Sequence, residues 1–343
     1  FISKAQNLSG PAHQLFQERT TGNTMDLRNM LSKGTAVESF NIPKLNYKIV
    51  KYIGKGGFGN VFEVKRSKDS KFFAMKVVPM TGFHREKPNE TIFREEATRL
   101  MQIKHHLHIT ELVDIARFGD YAALIMELAS EGNLQSFYGQ ITKEHHAALS
   151  QRVAYEMTEA LHYIHSQNPA IVHRDIKPDN ILVFLSGTVR KPCYLFKLAD
   201  FGISKTVDDN DEDPAFPGVF HEPVSGRAYE PYRAPETAKR VGDIHPRGPE
   251  TKADIYSLGV VLSQIHSNRL GSYDPVSLRN IPSLALPLME AMLRQDPSKR
   301  PSAQECKRYG WYQKGAEVVI HRVANCSKGD NPLGESMRRL SID

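Results

Sequence analysis

The stretch Gly54-Lys55-Gly56-Gly57-Phe58-Gly59 limits what the N-terminal part of this chain can build. Its G-x-G-x-x-G spacing suits a backbone that passes close to phosphate oxygens, because glycine has no side chain to hold the N–H groups at a distance. The same spacing opens the first helix of dinucleotide-binding folds, so alone it is a weak signal. The residues just after the glycines decide between the two. Asn60-Val61-Phe62-Glu63-Val64 reads as a strand rather than a helix, so the glycines sit in a β-hairpin able to lie over a triphosphate. Tyr47 to Ile53, Asn60 to Arg66 and Phe72 to Pro79 are β-type runs separated by Gly-rich and charged turns, an antiparallel meander. Thr91 to Ile103 switches to helical spacing, with Ile92, Phe93, Ala97, Leu100 and Ile103 on one face. Leu112 to Ala116 and Ala122 to Leu128 read as further strands, giving about five strands and one helix before the chain turns mainly helical. In Ser150 to Ser166 the stripe of Val153, Met157, Leu161 and Ile164 is core packing.

Lys76, in Phe73-Ala74-Met75-Lys76, places an ammonium inside a β-run, where an unpaired charge is expensive. The α- and β-phosphates of a nucleotide would be its anionic partner, with a carboxylate from the following helix to hold it. Glu95 and Glu96 are both available. Glu96 is the choice, because Leu100 and Ile103 then fall on the buried side four and seven residues later. Further on, His173-Arg174-Asp175-Ile176-Lys177-Pro178-Asp179-Asn180 precedes Asp200-Phe201-Gly202 by twenty residues. In that order Asp175 accepts the proton of an attacking hydroxyl and Lys177 steadies a transferring phosphoryl group. Asn180 and Asp200 are oxygen donors suited to Mg²⁺, a hard cation that bridges carboxylates and phosphates.

Composition narrows the classes. The 343 residues carry a net charge of +6, but the first 46 hold five Lys/Arg against three Asp/Glu and residues 313–343 hold five against four. The excess is spread thinly and forms no basic block, which argues against nucleic acid as a partner. No apolar run approaches a membrane span, and residues 1–30 lack a signal-type stretch. Cys193, Cys306 and Cys326 are odd in number and far apart, which fits neither a disulfide framework nor a paired-thiolate metal site. An intracellular home, cytoplasm or nucleus, is therefore expected. The chain starts at Phe1 rather than at a methionine, as a fragment of a longer protein would. Lys104-His105-His106-Leu107-His108 lacks the companions of a metal site and reads as a polar turn after the helix.

The ordered set of Gly-rich hairpin, strand lysine, helix glutamate, His173-Arg174-Asp175 and Asp200-Phe201-Gly202 resembles the eukaryotic protein kinase family over Tyr47 to Tyr312. Ala234-Pro235-Glu236 is similar to the end of that family's activation segment, and Asp254-Ile255-Tyr256-Ser257-Leu258-Gly259 to its buried central helix. Arg300 matches the arginine that pairs with the carboxylate of Glu236. The resemblance implies an α+β, two-lobed protein kinase fold. A small antiparallel β lobe (47–130) carries one key helix, and a large, mainly helical lobe (131–312) comes after it, flanked by tails at 1–46 and 313–343.

It further implies an enzyme that binds ATP and Mg²⁺ and acts on serine/threonine hydroxyls of protein substrates in intracellular signalling, with an upstream kinase as a further partner. Lys177 after the catalytic aspartate resembles the serine/threonine class. ATP binding would fall to Ile53, Gly54, Lys55, Gly56, Gly57, Phe58, Gly59 and Lys76. Val61, Ala74 and Leu182 would sandwich the adenine, Met126 would be the gatekeeper, and Glu127 and Ala129 would give hinge backbone contacts. The competing class is a kinase-like nucleotide-binding scaffold. Such modules tend to lose the strand lysine, the catalytic aspartate or the metal aspartate, and Lys76, Asp175 and Asp200 are all present. The sequence leaves the oligomeric state open.

Three departures from the family pattern stand out. Tyr229 occupies a position where the family usually has threonine. Only 46 positions separate Asp254 from Arg300, which shortens the helical insert there. Ser186 to Pro192 looks like an extra hairpin before Asp200. For regulation, Arg174 beside the catalytic aspartate calls for an anion. A phosphate on Ser225 is the first choice, with Thr206 and Tyr229 behind it, and the acidic run Asp208 to Asp213 is the rival. Near the C-terminus, Arg338-Arg339-Leu340-Ser341 has the layout of a site for a basic-directed kinase.

Overall fold

Alternating side chains in the N-terminal strands give their sheet one face to bury and one to use. The computed structural model describes residues 40–41, 46–56, 59–84, 87–103, 105–186, 193–206, 231–237, 250–272 and 276–313. They fall into two compact units. The first runs to Leu128 and takes in 200–206; the second holds Ala129–Ala199 and the described residues from 231 on. The boundary expected at 130/131 assigns residues 200–206 to the second unit. They pack with the first because the Asp200 carboxylate is tied to Lys76.

In the first unit, β1 (Phe40–Asn41), β2 (Tyr47–Lys55), β3 (Asn60–Arg66) and β4 (Phe72–Pro79) are followed by a short hairpin, β5 (Phe83–His84) and β6 (Lys87–Pro88). Then come α1 (Asn89–Gln102), β7 (Leu112–Phe118) and β8 (Tyr121–Glu127). The six longer-range partners form one antiparallel sheet in the order β1-β2-β3-β4-β8-β7. The sheet and the hairpin exceed the strands expected from sequence, because two-residue strands such as β1 are too short to show alternation. Phe62, Val64, Phe73, Met75, Val77, Ala123 and Ile125 share one face and, with Tyr47 and Ile49, close into a core. The opposite pairs Val61–Lys76, Ala74–Met126 and Lys76–Leu124 lie on the other face. Register shifts between Ile49 and Lys51 and between Tyr52 and Gly54 kink β2 as it approaches the glycines.

The second unit holds α2 (Leu134–Tyr138), α3 (His146–His165), β9 (Ile171–Val172), β10 (Ile181–Leu185), β11 (Tyr194–Leu198), α4 (Thr251–His266), α5 (Leu286–Met292), α6 (Ala303–Cys306) and α7 (Gly310–Gln313). Asn133 caps α2, its Oδ1 accepting the Ser136 N–H at 2.9 Å. Ser302 and Glu305 form a capping box on α6. β10 and β11 pair antiparallel, and the Ser186 N–H donates to Cys193 O at 2.7 Å at the hairpin's turn end. The tip at 187–192 lies outside the described residues. α4 is buried on every side from Ala253 to His266. Gly259 permits this packing: a Cβ there would stand 3.0 Å from Met292 Cβ. Among the described residues between Asp254 and Arg300, α5 is the only α-helix after α4, and it has seven residues. Trp311 and Tyr312 dock on α3, with Gln151 Nε2 donating to Trp311 O at 2.6 Å and Tyr312 Oη 2.7 Å from Thr158 Oγ1.

Candidate functional site

In the first unit the candidates gather on the open face of the sheet. The glycine hairpin closes through Gly56 N–H to Gly59 O at 2.8 Å. Gly59 has no alternative: a Cβ there would lie 2.1 Å from Val77 O, so only glycine lets the hairpin sit against β4. Gly57 and Phe58 lie outside the described residues. Ile53 on β2 leaves an apolar side chain 46% exposed, Lys55 is exposed, and Val61, Ala74 and Met126 are half-buried. The Glu127 N–H donates to Glu111 O at 3.2 Å.

Lys76 is the electrostatic centre of this unit. Its Nζ lies 2.8 and 2.9 Å from the two oxygens of Glu96 on α1, and 2.8 Å from Asp200 Oδ1. Glu95 instead turns to Arg99. Burial works against the Lys76 ammonium, but Asp200 and Glu96 outweigh it and hold the group well above the ordinary lysine range. Burial also raises Glu96, a shift that Lys76 opposes and the like charge of Asp200 reinforces. Two carboxylates thus converge on one ammonium, and Arg99 further along α1 also favours the Glu96 carboxylate. Asp200 sits in the left-handed region at φ +62°, its Oδ1 also accepting the Gly202 N–H at 3.3 Å. The segment ends in β12 (Lys205–Thr206), where Thr206 is half-buried.

In the second unit, Asp175 is held from several sides. Lys177 Nζ reaches both its oxygens at 2.9 and 2.8 Å, and Asn180 Nδ2 donates to its Oδ2 and to its backbone carbonyl, each at 2.8 Å. Asn180 commits its NH₂ to this clamp, which leaves Oδ1 as the hard donor atom. The loop is anchored from below by Asp254 on α4, which accepts the backbone N–H groups of His173 and Arg174, both at 2.8 Å, and faces His165 Nε2 at 2.9 Å. Burial would raise the Asp254 carboxyl, but the bonds from His165 and the loop hold it below the usual range. His173 Nε2 faces Ala199 O at 3.0 Å and must donate, so its Nδ1 accepts the Asp175 N–H at 3.2 Å. Arg174 has φ +67°, and its Nη2 meets Glu250 Oε2 at 2.7 Å. Arg300 holds Glu236 through paired contacts of 2.6 and 2.7 Å. Ala129 and Leu182 are half-buried.

Asp254 and Glu250 were not among the sequence candidates for the site. A single acidic residue inside the apolar run Ala253 to Leu262 was the available signal for Asp254, because a buried carboxylate needs several donors. Glu250 carried no such signal. Ser225, Tyr229, Ser341 and the acidic run Asp208 to Asp213 lie outside the described residues.

Comparisons with known proteins point one way. The family model described as protein kinase domain matches residues 47–312. CBL-interacting serine/threonine-protein kinase 15 of Arabidopsis thaliana is 25% identical over 290 residues, 80% of this chain and 63% of the relative. Serine/threonine-protein kinase Sgk1 of Rattus norvegicus is 28% identical over 277 residues, 76% and 57% of the two chains. Calcium-dependent protein kinase 1 of Oryza sativa subsp. japonica is 30% identical over 298 residues, 80% and 52%. The chain thus spans 52% to 63% of the length of these three relatives. With the match covering most of its length and the motif residues held by the contacts above, the chain belongs to the protein kinase family.

Proposed function

We propose that the chain transfers the γ-phosphate of ATP, with Mg²⁺, to serine and threonine hydroxyls of protein substrates. The carrying observation is the clamp on Asp175, whose carboxylate is fixed by Lys177 and Asn180 while Asp254 holds the backbone beside it. A carboxylate fixed in this way can take the proton of an incoming hydroxyl as its oxygen bonds to the γ-phosphorus. The bond to the β-phosphate oxygen breaks as ADP leaves with the electron pair, and Lys177 steadies the charge on the transferring group. Lys76, held by Glu96, orients the α- and β-phosphates, and the Gly54–Gly59 hairpin offers its backbone N–H groups.

Asn180, its NH₂ committed to Asp175, would offer Oδ1 to Mg²⁺, and the part-exposed Asp200 would offer a carboxylate oxygen, the donor type a hard divalent cation prefers. Mg²⁺ supplies neutralisation of phosphate charge. Signalling substrates, an upstream kinase and a cytoplasmic or nuclear setting belong to the same proposal. No helix among the described residues is long and apolar enough to cross a membrane. Transfer of radiolabel from γ-labelled ATP to generic proteins, followed by phosphoamino-acid analysis, tests the proposal. Labelled phosphoserine and phosphothreonine are expected. Nucleotide binding with no transfer would replace the enzyme with a scaffold, and label on tyrosine alone would overturn the acceptor class.

A further inference from the structure

Arg174 adjoins the residue proposed as proton acceptor, and a guanidinium there is a hazard as well as an aid. With five donors and a fixed charge, it could fold onto Asp175 and occupy the lone pairs the hydroxyl proton needs. Its left-handed backbone, φ +67°, also has to be held by its surroundings. From sequence, the expected anion for this arginine is a phosphate on the segment after Asp200. Among the described residues the anion that Arg174 meets is Glu250, with Nη2 2.7 Å from Oε2. Glu250 stands at the N-cap position of α4, its side chain making no capping bond, where the helix dipole favours negative charge, one turn before Asp254. Asp254 takes the backbone N–H groups of His173 and Arg174. One helix end therefore grips the same loop twice, by its main chain and by its guanidinium.

We infer that Glu250 is a positioning residue: a carboxylate fixed on α4 that neutralises Arg174 and sets the loop carrying Asp175 without phosphorylation of Ser225, Thr206 or Tyr229. The inference rests on the kinase reading for its catalytic meaning, but the contact is a property of the loop itself. The Glu250 side chain is 42% exposed, and a rim ion pair of that kind adds little to global stability. Its effect belongs in the geometry of the loop rather than in the melting temperature.

The test uses the full chain, stripped of phosphate by a broad-specificity protein phosphatase and checked by intact mass. Dephosphorylated wild type should keep its kcat within about twofold, while Glu250→Gln should lose about tenfold in kcat with KM for ATP unchanged, the size of one charge-assisted hydrogen bond. Glu250→Asp should recover part of that loss. In an Arg174→Ala background Glu250→Gln should add nothing, because its effect passes through the guanidinium. Hydrogen exchange of the peptide covering residues 173–180 gives a readout independent of turnover. Exchange there should rise in Glu250→Gln and stay unchanged in wild type on dephosphorylation. Loss of wild-type turnover or loop protection on dephosphorylation would overturn the inference, as would a Glu250→Gln protein matching wild type in both. A chain with no turnover at all would sink the kinase reading, and the exchange result would still decide Glu250.

Discussion

At Lys76 two carboxylates crowd one ammonium, whereas at Arg300 one guanidinium spends every donor it has. Arg300 Nε donates to Arg294 O at 2.7 Å, Nη1 to Glu236 and Lys252 O, and Nη2 to Glu236 and Gln295 O, with the group 4.8 Å over the Tyr256 ring. Both cations are buried, at 3% and 2% exposure, so burial does not separate them. Their partners do. The Arg300 cluster is closed and asks for nothing more, as a structural anchor should. At Lys76 one ammonium is divided between two carboxylates, and Asp200 is still 22% exposed, the arrangement of a site rather than of an anchor. Asp254 belongs with Arg300: its carboxylate is saturated by His165 and two loop N–H groups.

The contrast is tested most severely at Arg300. Arg300→Met leaves Glu236 and three carbonyls without their donor and should destabilise the protein by about 3–5 kcal/mol in urea unfolding. A loss below about 1 kcal/mol would place this cluster among ordinary surface pairs. At the Lys76 cluster the damage should fall on activity instead. Lys76→Met, and Asp175→Asn in the second unit, should each lower kcat by ~10²-fold or more while a cooperative melting transition survives. Wild-type turnover in Asp175→Asn with intact melting would remove that residue from the chemistry.

His266 is one of several buried groups of the second unit with a polar atom that makes no hydrogen bond. Its Nε2 has no partner among the described residues, and burial, helped by the nearby His146, pulls its pKa down to about 4 from 6.5. The folded state therefore disfavours the proton that the unfolded chain accepts. The stability this contributes is present above pH 6.5 and is lost as pH falls towards 4. Between pH 6.5 and 5 the loss should be roughly 1.5 kcal/mol, visible as a falling melting temperature that His266→Gln abolishes. The smallest effect is expected at the α6 capping box, where Ser302→Ala should cost about 1 kcal/mol and leave kcat untouched.

Most of the strand pattern was legible because period-two alternation survives in Asn60 to Arg66 and Phe72 to Pro79, which form strands with those same bounds. Helix ends were less so. α1 begins at Asn89 rather than Thr91, because its first turn carries the polar Asn89 and Glu90, and α3 begins at His146 rather than Ser150, with Leu149 already buried in its first turn. Local motifs placed Asp175, Lys177 and Asn180 together, since all three lie within one turn of loop. The Lys76 pairing was legible from the apolar spacing of α1: Leu100 lies one turn beyond Glu96 on the buried side, and the structure brings Glu96 rather than Glu95 to the ammonium. Glu250 was illegible, being 76 residues from Arg174 in sequence.

Helix α4 has one more consequence. With every position from Ala253 to His266 buried and Gly259 pressed against α5, it has almost no side that faces water. In a saturation library scored for function, tolerance along this helix should collapse to Thr251 and Lys252, the two positions outside the buried stretch. Drift in the family's sequences would then be slowest here, because the helix has no spare surface on which a substitution could be neutral.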